Sequence, residues 1–385
     1  MSFTKEILNK KFDAAYKELN AKQKLAVDTI EGPVMVIAGP GTGKTQILAN
    51  RIGKILLETD ALPQNILCLT YTEAGVVAMR RRLLDFIGAD AYKVNLHTFH
   101  SFCNMVIQEN IRLFRKKELE ALGDLERVQY LKQLVDSFQK DNPLKRYKGE
   151  IYYDMNNLAS LFSAIKREGW KEDWLIKKIE EYVTNILPET DGFYNKREKK
   201  KGNHVLTQKG NDEVERMEKL KAAINAFTPY QNIMHENHRY DYDDMITWVI
   251  RMFEENPEVL LNYQEQLQYI LVDEYQDTSG TQNRIVELLI SYWQDEKPNL
   301  FVVGDDDQSI YRFQGANLKN MMSLASQFEN DLVKIVLTEN YRSVQPILDA
   351  AKHVIENNEQ RLVKQYKELT KELTTAKPEL KNLEI

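Results

Sequence analysis

The stretch Ala38-Gly39-Pro40-Gly41-Thr42-Gly43-Lys44-Thr45 constrains this chain more than any other, because it has the spacing of a phosphate-cradling loop ending in Gly-Lys-Thr. Such a loop works only where a strand runs into a helix. The apolar run Pro33-Val34-Met35-Val36-Ile37 before it reads as a buried strand, and Gln46-Ile47-Leu48-Ala49-Asn50-Arg51-Ile52 after it reads as an amphipathic helix. The ligand implied is a nucleoside triphosphate. What that triphosphate drives has to be read further along the chain.

Short β-rich runs alternate with helical runs at the start: 34–38, a helix to about 60, then 66–72, 74–87 and 92–98. That rhythm predicts an α/β fold, a P-loop parallel sheet flanked by helices. From about Cys103 to Tyr240 long charged amphipathic segments replace it (119–138, 156–168, 174–183, 211–227), which predicts a mostly helical insertion. Residues 196–210, polar with few apolar side chains, read as its least ordered part. The β rhythm resumes with 269–273, a helix over 281–293, then 300–304, 333–337 and a final helix over 344–359. The domains expected are a discontinuous ATPase domain (1–105 and 236–325), a helical insertion (106–235) and the incomplete start of a second motor domain (326–385).

At 385 residues the chain is long enough for two or three domains, and 43% hydrophobic with 29% charged residues is ordinary for a globular protein. No apolar run approaches the length that crosses a bilayer, and the N-terminus lacks the apolar core of a secretion signal, so a cytoplasmic location is expected. Two cysteines, Cys68 and Cys103, cannot build a disulfide framework or a four-cysteine metal site and read as buried thiols. The net charge of −6 argues against bulk affinity for nucleic acid but not against a local basic groove. The basic clusters at 80–82, 115–117 and 196–201 each read as a solvated helix face or a loop.

Tyr269-Ile270-Leu271-Val272-Asp273-Glu274 is a buried-strand pattern ending in two carboxylates, where a P-loop ATPase places a Mg²⁺ ligand and a water-orienting base. Asp273, jointly with Thr45, is the expected metal pair, and Glu274 the expected base. The separation from Lys44 exceeds what a minimal P-loop domain needs, and the helical insertion fills it. The next strand runs into Gly304-Asp305-Asp306-Asp307-Gln308, and a Gln so placed can report whether a γ-phosphate is present. Beyond it, Tyr311 and Phe313 offer faces on which unpaired bases could stack, each worth about 1–3 kcal/mol, or else anchor the loop to the core. His97 and His100 are spaced like metal ligands but have no further His or Cys nearby. Asp241, Asp243 and Asp244 could hold a cation, but they suit better the start of the helix that follows, where the dipole favours negative charge.

Further segments fall in a fixed order: Leu19-Asn20-Ala21-Lys22-Gln23; Leu69-Thr70-Tyr71-Thr72-Glu73; His97-Thr98-Phe99-His100-Ser101; Tyr240-Asp241-Tyr242-Asp243-Asp244-Met245; Val272-Asp273-Glu274-Tyr275-Gln276-Asp277-Thr278; residues 304–316; and Leu337-Thr338-Glu339-Asn340-Tyr341-Arg342-Ser343. With the P-loop, this set resembles the UvrD/Rep/PcrA-type superfamily 1 DNA helicases. The resemblance implies ATP and Mg²⁺ as cofactors and single-stranded or partially duplex DNA as partner, with repair or replication proteins as further candidates. It also implies 3′ to 5′ translocation in repair, replication or recombination. Residues 39–45 (Gly39, Pro40, Gly41, Thr42, Gly43, Lys44, Thr45), Gln23 and Tyr341 would then bind nucleotide. Lys44, Asp273, Glu274, Gln308 and Arg342 would act in hydrolysis, and Tyr71, Thr98, His100, Tyr311 and Phe313 would contact DNA.

The chain departs from the family's pattern at Gln46 and Gln314, where arginine is usual, and at Glu73-Ala74-Gly75-Val76 in place of Asn-Lys-Ala-Ala. The family's second motor domain also continues well beyond the Asn-Tyr-Arg-Ser motif. The expectation is therefore a portion retaining ATP and single-strand binding, with slow hydrolysis and no unwinding. The alternatives are a non-catalytic ATP-dependent DNA- or partner-binding module and the motor part of a helicase–nuclease.

Overall fold

A computed structural model describes residues 2–114, 120–194, 205–293, 297–308, 318–358, 361–366 and 370–376. Two compact units divide it: Met1–Asn110 with Trp248–Ile385, and Ile111–Thr247.

The first unit is built on a six-stranded sheet. Its strands are β1 (Val34–Ala38), β2 (Ile66–Thr70), β3 (Asn95–Thr98), β4 (Tyr269–Val272), β5 (Leu300–Gly304) and β6 (Val333–Leu337), in the order β3-β2-β4-β5-β1-β6. All pairings are parallel: Val36 lies beside Val303 and Ile335, and Cys68 beside Leu96 and Leu271. The four inner strands are buried at every position, as their unbroken apolar sequences require when helices cover both faces. The two edge strands alternate instead, because each has only one neighbour and one well-covered face. Flanking helices include α1 (Ser2–Lys17), α2 (Ala21–Asp28), α3 (Lys44–Glu58), α4 (Glu73–Ile87) and α5 (Phe99–Glu109). The α/β parallel-sheet class expected from the sequence is the one found.

Several boundaries differ from the sequence reading. Strand β2 stops at Thr70 because Thr72 caps α4, its hydroxyl accepting from Gly75 N at 3.1 Å. Strand β3 starts only at Asn95, a short 3₁₀ turn (Gly88–Tyr92) occupying the approach to it. The run 333–337, read as part of the segment opening a second motor domain, is instead the sixth strand of this sheet and pairs with β1. Both cysteines are buried and free, and burial pushes both thiols up.

The second unit is mostly helical: α6 (Asp124–Ser137), α7 (Met155–Glu168), α8 (Glu172–Glu181), α9 (Gln208–Asn225) and α10 (Phe227–Glu236). Leu131, Leu134, Leu158, Phe162, Tyr230 and Met234 form its core, with the Phe162 and Tyr230 rings stacked 5.0 Å apart. The helix expected from 119 begins only at Asp124, because Glu120–Ala121 pairs in parallel with Arg239–Tyr240. Lys166 is buried, 2.7 Å from Asp241 and 2.8 Å from Asp244. Asp241 Oδ1 accepts from Asp244 N while Asp244 Oδ2 accepts from Asp241 N, so these carboxylates cap the next helix and neutralise a lysine. Among the described residues, no helix is long and apolar enough to cross a membrane.

Candidate nucleotide and DNA site

Apart from the Gln23 segment, which opens α2 ahead of β1, the motifs of the first unit sit at or just past the C-terminal end of a parallel strand, where open α/β sheets bind ligands. The P-loop leaves β1, Tyr71 follows β2, Thr98 ends β3 with His100 just beyond it, Asp273 and Glu274 follow β4, and Gln308 follows β5. Because β5 lies between β4 and β1, the loop bearing Gln308 enters between the acidic pair and the P-loop.

The P-loop turns into α3 through Gly43 at φ +88°, after Gly41 at φ +71°, both in the left-handed region. A Cβ on Gly41 would lie 2.7 Å from the Arg342 Cβ and 2.8 Å from Asn340 Nδ2, so the chain carrying Tyr341 and Arg342 packs directly on the loop. Tyr341 N donates to Gly41 O at 2.9 Å, Asn340 Nδ2 donates to Pro40 O, and Thr42 Oγ1 donates to Gly39 O at 2.7 Å. Gln23 is held from both ends: Oε1 accepts from Asn20 N at 3.0 Å and Nε2 donates to Thr42 O at 2.9 Å. An amide has two donors and two acceptor sites, so these two bonds use half of what the Gln23 side chain offers. Asn20 Nδ2 also donates to Tyr341 OH at 3.0 Å, joining the two residues expected around the base.

Lys44 Nζ lies 2.6 Å from Glu274 Oε2. Glu274 itself stands at φ +49°, an uncommon conformation for a non-glycine residue. Asp273 N donates to Leu69 O at 2.8 Å, and Asp273 Oδ1 accepts from Glu274 N at 2.9 Å. Burial, and then the Glu274 carboxylate beside it, push Asp273 up to about 7, and the same two causes push Asp277 up to about 6. Carboxylates crowded in this way are stabilised by a cation, and oxygen donors of this kind suit Mg²⁺.

A hydrogen-bond chain continues from the acidic pair. Gln276 Nε2 donates to Glu274 Oε2 at 2.9 Å, and Gln276 Oε1 accepts from Asp305 N at 2.8 Å. Asp305 in turn accepts from Gln308 Nε2. Gly304 admits this link, since a Cβ there would stand 2.8 Å from Gln276 Oε1.

Among the residues expected to contact DNA, Thr98 is the register partner of Thr70, so β2 and β3 deliver Tyr71 and His100 past neighbouring strand ends. Tyr71 is exposed and His100 half-buried. Thr98 is buried and caps α5: its hydroxyl accepts from Ser101 N at 3.1 Å and donates to Glu73 Oε1 at 3.0 Å. Tyr311, Phe313 and Gln314 lie outside the described residues, as do the basic residues 196–201.

Sequence reasoning missed the buried cations of the first unit. Arg51 on α3 is 1% exposed, donates to the carbonyls of Ala26 (2.8 Å), Thr29 and Ile30 (2.9 Å), and sits 4.2 Å from the Phe301 ring centroid. Burial pushes it down to about 9, still cationic at neutral pH. In the sequence it reads as one polar residue on an amphipathic helix. Lys371, with Arg361, meets Asp305, Asp306 and Asp307 more than fifty residues upstream, a pairing no local pattern announces.

A glycine-rich phosphate cradle, a lysine beside an acidic pair and a glutamine just past the intervening strand define a P-loop nucleotide-binding protein. A family description of the UvrD/REP helicase N-terminal domain matches residues 19–329, and the chain belongs to that family. It is 32% identical over 344 residues to the ATP-dependent DNA helicase PcrA of Bacillus subtilis (strain 168), an alignment covering 89% of this chain and 40% of that protein. The ATP-dependent DNA helicases PcrA of a Staphylococcus epidermidis strain and of Staphylococcus aureus (strain Mu50) are similar at 31% and 30% identity, over 91% of this chain and 41% of each relative. The chain thus spans about 40% of the length of these relatives.

Proposed function

We propose that this chain carries the nucleotide-hydrolysing part of an ATP-dependent DNA helicase that moves 3′ to 5′ along single-stranded DNA in the cytoplasm. The observation that carries the reading is the continuous link Lys44–Glu274–Gln276–Asp305–Gln308, which joins the phosphate cradle to the loop between it and the acidic pair. In that reading Lys44 neutralises the β- and γ-phosphates, and Glu274, released from Lys44 when phosphate arrives, orients or deprotonates the attacking water. Gln308 senses the γ-phosphate and Arg342 contacts it. Gln23 and Tyr341 flank the base. Thr45 and Asp273 would hold Mg²⁺, whose charge would stabilise the phosphate oxygens as the bond breaks. Tyr71 and His100 give unpaired bases and phosphates a track past β2 and β3, with Thr98 shaping the start of α5 beneath them; Tyr311 and Phe313 extend it. The helical unit 111–247 corresponds to the family's inserted 1B subdomain.

The test is steady-state ATPase of the 385-residue chain, with and without single-stranded DNA, for wild type and Glu274→Gln. Slow turnover stimulated by DNA and lost in Glu274→Gln, with nucleotide binding retained, is expected. Nucleotide binding without any turnover in the wild type would favour a non-catalytic binding module instead.

A further inference from the structure

Residues 361–366 and 370–376 are stitched to three parts of the nucleotide site. Thr374–Thr375 pairs in parallel with Glu339–Asn340, and Ala376 N donates to Asn340 O at 2.8 Å. The Leu373 side chain rests on the P-loop: a Cβ built on Gly39 would fall 2.7 Å from Leu373 Cδ2. Arg361 forks onto Asp307, Nε to Oδ1 at 2.7 Å and Nη2 to Oδ2 at 2.9 Å, and Leu362 N donates to Asp306 Oδ2 at 2.8 Å. The Lys371 side chain, 1% exposed, meets all three consecutive carboxylates, at 2.7 Å from Asp306, 2.8 Å from Asp307 and in direct contact with Asp305. These carboxylates converge closely enough to hold a cation, and the cation they hold is this ammonium. Burial alone would pull Lys371 down, but the three carboxylates outweigh it and raise the lysine above its ordinary range.

The partners are unequally shared. Without Lys371, Asp307 keeps the Arg361 fork, Asp306 keeps the Leu362 amide and Asp305 keeps the Asp307 amide at 3.1 Å. Asp305 and Asp306 each lose their one cation among the described residues, and of the two Asp305 is the carboxylate that holds Gln308 Nε2. A buried carboxylate stripped of its counter-charge takes up a proton or turns toward water, and either change alters what it accepts. We infer that Lys371 is a positioning residue for Gln308, fixing the Asp305 carboxylate that aims the glutamine amide at the triphosphate pocket. This rests on the reading of Gln308 as the γ-phosphate sensor. It ties residues 361–366 and 370–376, which touch the cradle through Leu373, to the discrimination between ATP and ADP.

The experiment measures affinities of the full 385-residue chain for fluorescently labelled ADP and for a non-hydrolysable ATP analogue. The variants are Lys371→Met, Gln308→Ala and the two combined. Lys371→Met is expected to reduce the preference for the ATP analogue by about fivefold or more, to the level of Gln308→Ala, with ADP affinity unchanged and no further loss in the combined variant. ADP affinity is the readout that a general loss of structure would move. If Lys371→Met fails to fold, Lys371→Met with Asp306→Asn removes one negative charge together with the ammonium and is read the same way. A wild-type preference in the Lys371 variants, with the preference lost in Gln308→Ala, overturns this inference and leaves the sensor reading standing. A wild-type preference in Gln308→Ala overturns the sensor reading and this inference together.

Discussion

The Lys44 ammonium lies 2.6 Å from Glu274 Oε2, closing an ion pair between the loop after β1 and the end of β4. In the proposed reading the pair occupies the two groups that a triphosphate and its attacking water need, so nucleotide binding opens it. Glu274→Gln therefore removes a competitor for Lys44 as well as a base. Tighter nucleotide binding is expected, together with turnover lowered by roughly 10²–10⁴-fold, the usual loss on removing a general base. Fluorescence titration beside an ATPase assay checks both halves, and weaker binding by the variant would refute the competition.

The buried Asp273 carboxylate gives the nucleotide-free protein a stability that depends on pH. Its folded value of about 7 stands above the ordinary 3.8, so between these values the folded chain holds a proton that the unfolded chain has released. Stability then falls as pH rises through that window, and Asp277, raised to about 6, adds the same sign. Asp273→Asn is expected to flatten the dependence and to stabilise the metal-free protein most at pH 8, by an amount on the order of a few kcal/mol. Urea denaturation at pH 5, 6 and 8 with chelator present measures it. Parallel pH profiles for the two proteins would count against the charge as the cause.

The parts of this site that were legible in the sequence are those fixed by local covalent order. Ala38 to Thr45 must turn from strand to helix, and the apolar run 269–272 must deliver Asp273 and Glu274 to a strand end. The parts that were not legible depend on partners brought from a distance. Arg51 sits where α3 reads as amphipathic, and only the packing of α2 supplies the carbonyls that make it a buried brace. Thr98 looks like a surface hydroxyl in a contact motif, whereas Ser101 three residues on and Glu73 across the sheet turn it into a buried cap. The strand at 333–337 is legible as a strand but not as a member of this sheet, because a β pattern fixes conformation but not which strand it will pair with.

Arg51→Met should be among the most destabilising single changes in the first unit. Methionine fills much of the space but leaves the carbonyls of Ala26, Thr29 and Ile30 without their donor, each an unpaired buried acceptor costing about 1–3 kcal/mol before relaxation. A loss of about 3 kcal/mol or more in urea denaturation is expected. Arg51→Lys, with one ammonium in place of a fork, should fall between the variant and wild type. A near-neutral Arg51→Met would mean that the end of α2 is braced by its apolar contacts alone.

Gly41→Ala separates two reasons for glycine in the cradle. At φ +71° an alanine pays the left-handed penalty of about 1–2 kcal/mol, and its Cβ would also stand 2.7 Å from the Arg342 Cβ and 2.8 Å from Asn340 Nδ2. Gly149, in the second unit, is the matched control: its φ is +78°, and a Cβ there meets nothing within 4 Å. Gly149→Ala is expected to lower stability by that backbone penalty alone and to leave nucleotide affinity unchanged. Gly41→Ala should lower stability further and weaken nucleotide binding about tenfold or more, because the chain carrying Asn340, Tyr341 and Arg342 must back away from the loop it caps. Equal stability losses in the two variants would show that Arg342 and Asn340 yield freely, and that the cradle needs Gly41 only for its backbone angle.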